Sequence, residues 1–327
     1  MIMKSVLITG GAGFIGSHVG QALLKQDIRL AIIDNFNDYY SPQFKRENIE
    51  LLYKDGKQSG SLCLYEGDIR DKEFVEKAFA KFLPDVTIHL AASAGVRPSI
   101  VDPELYVKQN IVGTMNILEA MRSVGTKKLI FASSSSVYGN NKKVPFSETD
   151  NVDRPISPNA ATKKSCELLC HTYHHLFNMN IACLRFFTVY GPRQRPDLAI
   201  YKFTQNIIDG KPIHVFGDGS TMRDYTYIDD IVDGVLKAVR WVDNEEKRYD
   251  IFNLGESNTI TLKQMIEVIQ AAVGKRAIII KEGMQQGDVE RTYADISHSK
   301  EVLGYNPSTE FSQGIRAFVE WYKSNRM

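Results

Sequence analysis

The run Ser5-Val6-Leu7-Ile8-Thr9 leads straight into Gly10-Gly11-Ala12-Gly13-Phe14-Ile15-Gly16 and then into an amphipathic stretch. This junction constrains the fold more than any other feature of the chain. Glycines at 10, 13 and 16 let a strand turn tightly into a helix, let backbone approach a pyrophosphate, and let the helix pack closely on its sheet. The helix N-terminus offers free N–H groups and a partial positive charge, which hold phosphate without side chains. Phe14 and Ile15 share that turn and are read with the glycines as cofactor-binding. A second β-branched run ends at Asp34, 18 residues after Gly16, and is followed by Asn35. A carboxylate there accepts from the adenosine ribose hydroxyls and repels a 2′-phosphate, so the cofactor reading is NAD rather than NADP. Asp68 and Ile69, after a third such run, are read as flanking the adenine, with helix capping ahead of Asp71 as the plainer role for Asp68.

The first two-thirds of the chain continues in this pattern. Strands are expected at 5–9, 29–33, 61–65, 86–90, 128–132 and 181–185, and helices at 13–25, 71–82, 103–124 and 158–178. Alternation of this kind builds a doubly wound parallel α/β sheet of Rossmann type. Asp71, Asp102 and Ser157 stand at N-cap positions, and Pro103 and Pro158 suit first helical turns. The 103–124 helix is apolar on more than one face, as expected of a helix buried on both sides or contributing to a dimer interface. After residue 187 short elements between Gly/Pro turns predict a smaller mixed α/β unit for substrate. The boundaries read as 1–187 and 188–327, with 226–254 returning to the first unit.

Composition narrows the function. Forty Lys plus Arg against 39 Asp plus Glu leaves a net charge of +1, which advertises neither nucleic acid nor a membrane surface. Cys63, Cys166, Cys170 and Cys183 form no paired framework and no C-x-x-C, so reduced thiols in a cytoplasmic protein are expected. The apolar runs fall short of the ~20 residues needed to span a bilayer. The stretch 1–16 turns glycine-rich too early for a signal peptide. His171, His174 and His175 share a helix without an accompanying carboxylate and are assigned to packing rather than metal binding.

Thr9–Gly16, Asp34-Asn35-Phe36, Leu90-Ala91-Ala92, the run from Ser133 to Gly139, and Arg223-Asp224-Tyr225-Thr226-Tyr227-Ile228-Asp229-Asp230 together resemble the extended short-chain dehydrogenase/reductases over nearly the whole chain. Asn37-Asp38-Tyr39-Tyr40, Ala94-Gly95-Val96-Arg97 and Arg195-Pro196-Asp197-Leu198-Ala199 are most similar to nucleotide-sugar 4-epimerases acting on UDP-glucuronate. The resemblance implies NAD contacts from Leu90, Ala91, Ala92, Asn110, Lys163 and Phe187, and a homodimer formed by the two long helices. It also implies UDP-sugar contacts from Arg97, Ser135, Ser136, Thr188, Arg195, Lys202, Val215, Arg223, Asp288 and Arg291.

Members of this family carry Tyr-x-x-x-Lys on the helix after the serine run. The corresponding residues here are Asn159-Ala160-Ala161-Thr162-Lys163. A lysine four residues on shares the helix face and lowers a phenol's pKa, making it a base for the sugar 4-hydroxyl. Asparagine hydrogen-bonds but takes no proton near neutrality. The favoured reading is an inactivated epimerase, by introduced or spontaneous substitution, because Ser134 and Lys163 remain in place. The alternatives are a divergent enzyme whose proton acceptor lies elsewhere and a non-catalytic NAD- or nucleotide-sugar-binding protein. Ser135 and Ser136 stand where related dehydratases and decarboxylases carry acids, which leaves epimerisation. Hydroxyls of Ser135, Ser136 and Thr188 suit a sugar carboxylate, with neutral UDP-glucose or UDP-N-acetylglucosamine as alternatives because Gly191-Pro192-Arg193-Gln194-Arg195 departs from the glucuronate-type pattern.

Overall fold

The computed structural model describes residues 3–56, 62–244, 246–283 and 289–327. Its main sheet has seven strands, β1 (Ser5–Thr9), β2 (Arg29–Asp34), β3 (Leu62–Glu66), β4 (Val86–His89), β5 (Lys128–Ser134), β6 (Asn180–Phe186) and β10 (Tyr249–Leu254). All neighbours are parallel, in the order β10-β6-β5-β4-β1-β2-β3. The order reverses between β1 and β4, the place where doubly wound sheets open a crevice at the carboxyl ends of their strands.

Side-chain alternation explains the two layers. Leu7, Ala31, Ile33, Leu129, Phe131 and Ile181 point to one face, covered by helices α3 (Lys72–Phe82), α6 (Gly113–Val124) and α7 (Pro158–Phe177). Val6, Ile8, Leu30, Ile32, Ile130 and Leu184 point to the other, covered by α1 (Phe14–Leu24), α2 (Pro42–Gly56) and α9 (Ile228–Val242). With both faces covered, the strands read as continuous apolar runs. Asp71, Asp102 and Ser157 accept from Phe74, Leu105 and Ala160 backbone N–H groups, as their N-cap positions predict.

Two expectations need revision. The expected 103–124 helix is interrupted: α4 (Val96–Val101) and α5 (Pro103–Tyr106) lead into a π-helical turn at Val107–Val112 before α6 begins. The extra residue per turn there is set by tertiary contacts that periodicity does not record. Helix α2 was not expected at all, because Lys45 and Asn48 are buried on its inner face and hide the apolar pattern of Phe44, Ile49 and Leu52.

Beyond β6 the chain builds a second layer. β7 (Thr188–Tyr190), β9 (Met222–Tyr227) and β11 (Thr259–Thr261) form one small sheet, and β8 (Pro212–Phe216) and β12 (Ile278–Glu282) another. α8 (Ala199–Ile208), α10 (Leu262–Val273), α11 (Ser297–Leu303) and α12 (Phe311–Arg326) complete the chain. Between these small elements, α9 and β10 return to the main sheet, β10 pairing with β6 from Tyr249 to Leu254.

Candidate active site

Parallel register brings the strand ends to one rim. Thr9 pairs with Ile33 and His89, and Ser134 with Phe186, so Gly10, Asp34, Leu90, the serine turn and Thr188 all emerge on the same side of the sheet.

Gly10 has φ +71, and a Cβ there would lie 2.8 Å from the Ala91 nitrogen. At Gly16 a Cβ would lie 2.3 Å from the Gly10 carbonyl oxygen, so both positions exclude side chains. Gly13 caps α1, and the helix has neither a side-chain cap nor an acid in its first turn. The first-turn N–H groups of Phe14 and Ile15 would therefore be available to a phosphate. Asp34 is buried. It accepts from Ala12 N–H at 3.2 Å and Phe36 N–H at 2.9 Å, and the Lys45 ammonium lies 3.7 Å away. Burial pushes its pKa up, against Lys45 and these N–H donors. Asn48 also reaches the glycine loop, donating to the Ala12 carbonyl at 2.9 Å. Lys45 and Asn48 are site residues that the sequence did not mark, because the helix carrying them was not legible.

At the far end of the cofactor groove the helix-capping alternative for Asp68 does not hold. Asp71 caps α3, while Asp68 accepts from Arg70 Nε at 3.0 Å and Nη2 at 2.8 Å and from Asn35 Nδ2 at 2.9 Å. Ile69 is buried, with its carbonyl held by Asn116 at 2.9 Å.

Leu90 and Ala91 are tied to β1 through the Thr9 carbonyl and hydroxyl, at 3.1 and 3.2 Å, and Ala92 follows them on the rim. Behind them Thr9 Oγ1 meets His89 Nδ1 at 2.6 Å, and His89 Nε2 meets Thr114 Oγ1 at 3.0 Å. Burial, then the Lys163 charge, pushes His89 down to about 3, so the ring is neutral. Asn110 lies in the π-helical turn. Its side chain accepts from Ser93 N–H at 2.8 Å and donates to the Ser93 carbonyl at 3.1 Å and to Thr162 Oγ1 at 3.0 Å. It splices the loop after β4 to α7, and π-helical turns recur at such functional positions.

The residues expected to be catalytic converge where β5 meets α7. Ser134, Ser135 and Ser136 are half-buried, and Ser134 Oγ accepts from the Ser136 N–H at 3.1 Å. Asn159 is 5% exposed and donates through Nδ2 to Ser136 Oγ at 3.3 Å. Among the described residues its Oδ1 is buried without a partner, an unmet acceptor that suits a ligand hydroxyl. One turn on, Lys163 Nζ donates to the Ala132 carbonyl at 2.6 Å, and burial pulls its pKa down.

The remaining residues lie on or around the small sheets. Thr188 opens β7 opposite Tyr225, and buried Phe187 packs against Tyr138. Val215 is buried on β8, Lys202 is exposed on α8, and Arg97 lies 5.5 Å from the Phe216 ring. Arg223 on β9 and Arg291 are brought together by the bridge between Met222 and Arg291. Asp288 lies outside the described residues. Arg195 makes a bidentate pair with Asp197, Nε to Oδ1 at 2.9 Å and Nη2 to Oδ2 at 2.7 Å. His174 Nδ1 meets the Met179 carbonyl at 2.8 Å and His171 packs edge-on against Tyr249, contacts of a helix end.

A seven-strand parallel sheet with a glycine-turn cofactor groove, a serine turn and a buried lysine defines a Rossmann-type oxidoreductase-like site. The family model described as GDP-mannose 4,6 dehydratase matches residues 7–318, and the chain belongs to that family, within the extended short-chain dehydrogenase/reductases. It is 42% identical over 324 residues to the UDP-glucuronate 4-epimerase of Thermodesulfobacterium geofontis, covering 99% of this chain and 97% of that enzyme. The crystal structure of the Bacillus cereus UDP-glucuronic acid 4-epimerase with UDP-glucuronic acid and NAD superposes with a TM-score of 0.89 at 36% identity, covering 98% of this chain and 99% of that one. The UDP-glucose 4-epimerase of Thermotoga maritima with UDP-glucose superposes equally, TM-score 0.89 at 32% identity, covering 99% and 100% of the two chains.

Proposed function

We propose that the chain is an NAD-dependent UDP-sugar 4-epimerase, built for exchange between UDP-glucuronate and UDP-galacturonate, whose turnover is strongly impaired by Asn159. The observation that carries this reading is the trio Ser134, Asn159 and Lys163 at the rim of the sheet, complete except for the phenol. Gly10, Gly13 and Gly16 would admit the pyrophosphate to the N-terminus of α1, and Asp34 would accept from the adenosine ribose. NAD, when bound, supplies the hydride acceptor for sugar C4 and the donor for its return. The protein's own task is the proton. Ser134 would hydrogen-bond the 4-hydroxyl and pass its proton to a base, and Lys163 would keep that base ionised. At 159 the amide Oδ1 accepts a hydroxyl hydrogen bond but does not take the proton. Losing a positioned base costs about 10²- to 10⁴-fold in rate.

Support for a uronate comes from the hydroxyls of Ser135, Ser136 and Thr188, donors that surround a carboxylate without fixing it as a single buried cation would. The likeness to the UDP-glucose enzyme favours a neutral sugar as second reading. Residues 1–187 with 226–254 are the NAD-binding unit, and the rest of 188–327 binds the UDP-sugar. A homodimer is supported by apolar side chains left in solvent on α4 and α7, Val101 87%, Leu168 57% and Leu176 60% exposed. No described helix is long and apolar enough to cross a membrane. Four free thiols, one of them exposed, suit the reducing cytoplasm.

The test is the Asn159→Tyr protein offered UDP-glucuronate, UDP-glucose and UDP-N-acetylglucosamine, with C4 inversion followed by NMR. Inversion of UDP-glucuronate first is the expected result. Preference for a neutral sugar would replace the uronate reading, and inversion of none would remove the epimerase reading.

A further inference from the structure

Three segments far apart in sequence meet at one edge of the groove. Arg195 is paired in bidentate fashion with Asp197, with both side chains about a quarter exposed at 22% and 28%. Its guanidinium lies 5.2 Å from the centre of the Tyr39 ring, and Tyr39 Oη donates to Asp197 Oδ2 at 3.5 Å. The third segment passes Tyr39 at Gly95, whose φ of +115 favours glycine and whose Cβ position lies 3.5 Å from Tyr39 Oη, at van der Waals contact. Next to it Tyr106 Oη donates to the Ala94 carbonyl at 2.9 Å. The Asp197 hydrogen bonds and charge raise the guanidinium's pKa against its burial, so it stays charged.

A bidentate arginine satisfied by a neighbouring carboxylate at the mouth of an anion site has a clear chemical use. We propose that Asp197 and Tyr39 hold Arg195 in reserve, and that the incoming sugar nucleotide takes the guanidinium over by exchanging its own anion for the Asp197 carboxylate. The Asp197 pair is geometrically good enough to orient the fork but solvated enough to be broken. Tyr39 supports the planar face throughout, so the arginine swings without losing its stacking partner. Asp197 and Tyr39 are positioning residues in this scheme. It rests on the reading that the site binds a UDP-sugar. The anion is the diphosphate or a sugar carboxylate, two groups of the same chemistry to an arginine.

The experiment measures Kd by calorimetry for UDP, UDP-glucose and UDP-glucuronate, on the chain as it stands and on Asp197→Asn, Asp197→Ser and Arg195→Met. Removing the competing carboxylate should tighten binding about 3- to 10-fold, and Arg195→Met should weaken it about 10-fold or more. Tightening for all three ligands assigns the diphosphate, and tightening for UDP-glucuronate alone assigns the carboxylate. If both Asp197 variants weaken binding as much as Arg195→Met, or if neither position affects it, the reserve role is overturned. Failure of the unaltered chain to bind any of the three would instead remove the UDP-sugar reading. Melting temperature and NAD binding report whether each variant is folded.

Discussion

Arg185 and Glu167 anchor α7 to the sheet, and breaking that pair should be costly. Both side chains are 1% exposed, with Nε to Oε1 and Nη2 to Oε2 each at 2.9 Å. Arg185 Nη1 also donates to Tyr138 Oη at 3.0 Å, and Ser133, next to Ser134, donates to Glu167 Oε1 at 2.6 Å. Lys164 adds a weaker contact at 3.6 Å. Burial by itself pushes the Glu167 carboxyl up, but Arg185, Ser133 and Lys164 together hold it below its usual range. Arg185→Met leaves that carboxylate buried without its fork, a loss of about 3–5 kcal/mol. For a chain of this length that is a melting-temperature drop of about 4–7 °C. The stabilisation belongs to the ionised carboxylate, so it is present above the unfolded value near 4.3 and lost as pH falls through the lower folded value. Differential scanning calorimetry from pH 7.5 to 3.5 should therefore show the deficit largest near neutrality and shrinking in acid. The double variant Arg185→Met with Glu167→Leu should recover most of the loss. A single variant that melts within 1 °C of the parent, at roughly a fifth of the expected cost, would show that the pair does not anchor the helix.

Other consequences are open to measurement. Gly16→Ala puts a methyl against the Gly10 carbonyl oxygen and the Gly11 Cα, at 2.3 and 2.7 Å; stability should fall by about 1–3 kcal/mol, and calorimetric NAD affinity should fall at least 10-fold. Glu256 is pushed up to about 8, by burial first and then by Asp230, Asp224 and Glu310. The folded form then holds a proton the unfolded chain has released, so stability should decline as pH rises from about 4.5 to 8. Melting curves of Glu256→Gln should be flatter over that window, and an unchanged slope would exclude Glu256 as the source. Leu168→Glu with Leu176→Glu should convert a dimer to a monomer in light scattering while leaving melting of the dilute protein nearly unchanged.

What was legible in the sequence followed local rules. The β1–glycine turn–α1 junction is a run of adjacent residues whose φ, packing and charge requirements all fall within the motif. The Asp71, Asp102 and Ser157 caps were readable for the same reason. Helix α2 was not, since its buried Lys45 and Asn48 answer Asp34 and the Ala12 carbonyl rather than a hydrophobic core. The π-helical turn was also hidden, because Asn110 is aimed by Ser93 and Thr162, residues 17 and 52 positions away. Sequence marked Asp68 and Arg195 as charged groups of the site. It did not name their partners, and in both cases a neighbour two residues on, Arg70 or Asp197, engages the charge.

On the proposed function, a single side chain, Asn159, separates this protein from a working epimerase. The most direct measurement is the ratio of C4-inversion rates for the Asn159→Tyr protein and the chain as it stands, with UDP-sugar Kd measured on both. The expected result is a rise of about 10²-fold or more in rate with Kd changed by less than about 10-fold, because the amide at 159 already offers a hydroxyl acceptor. Equal rates in the two proteins would contradict it, and would place the proton acceptor on another residue or the function outside catalysis.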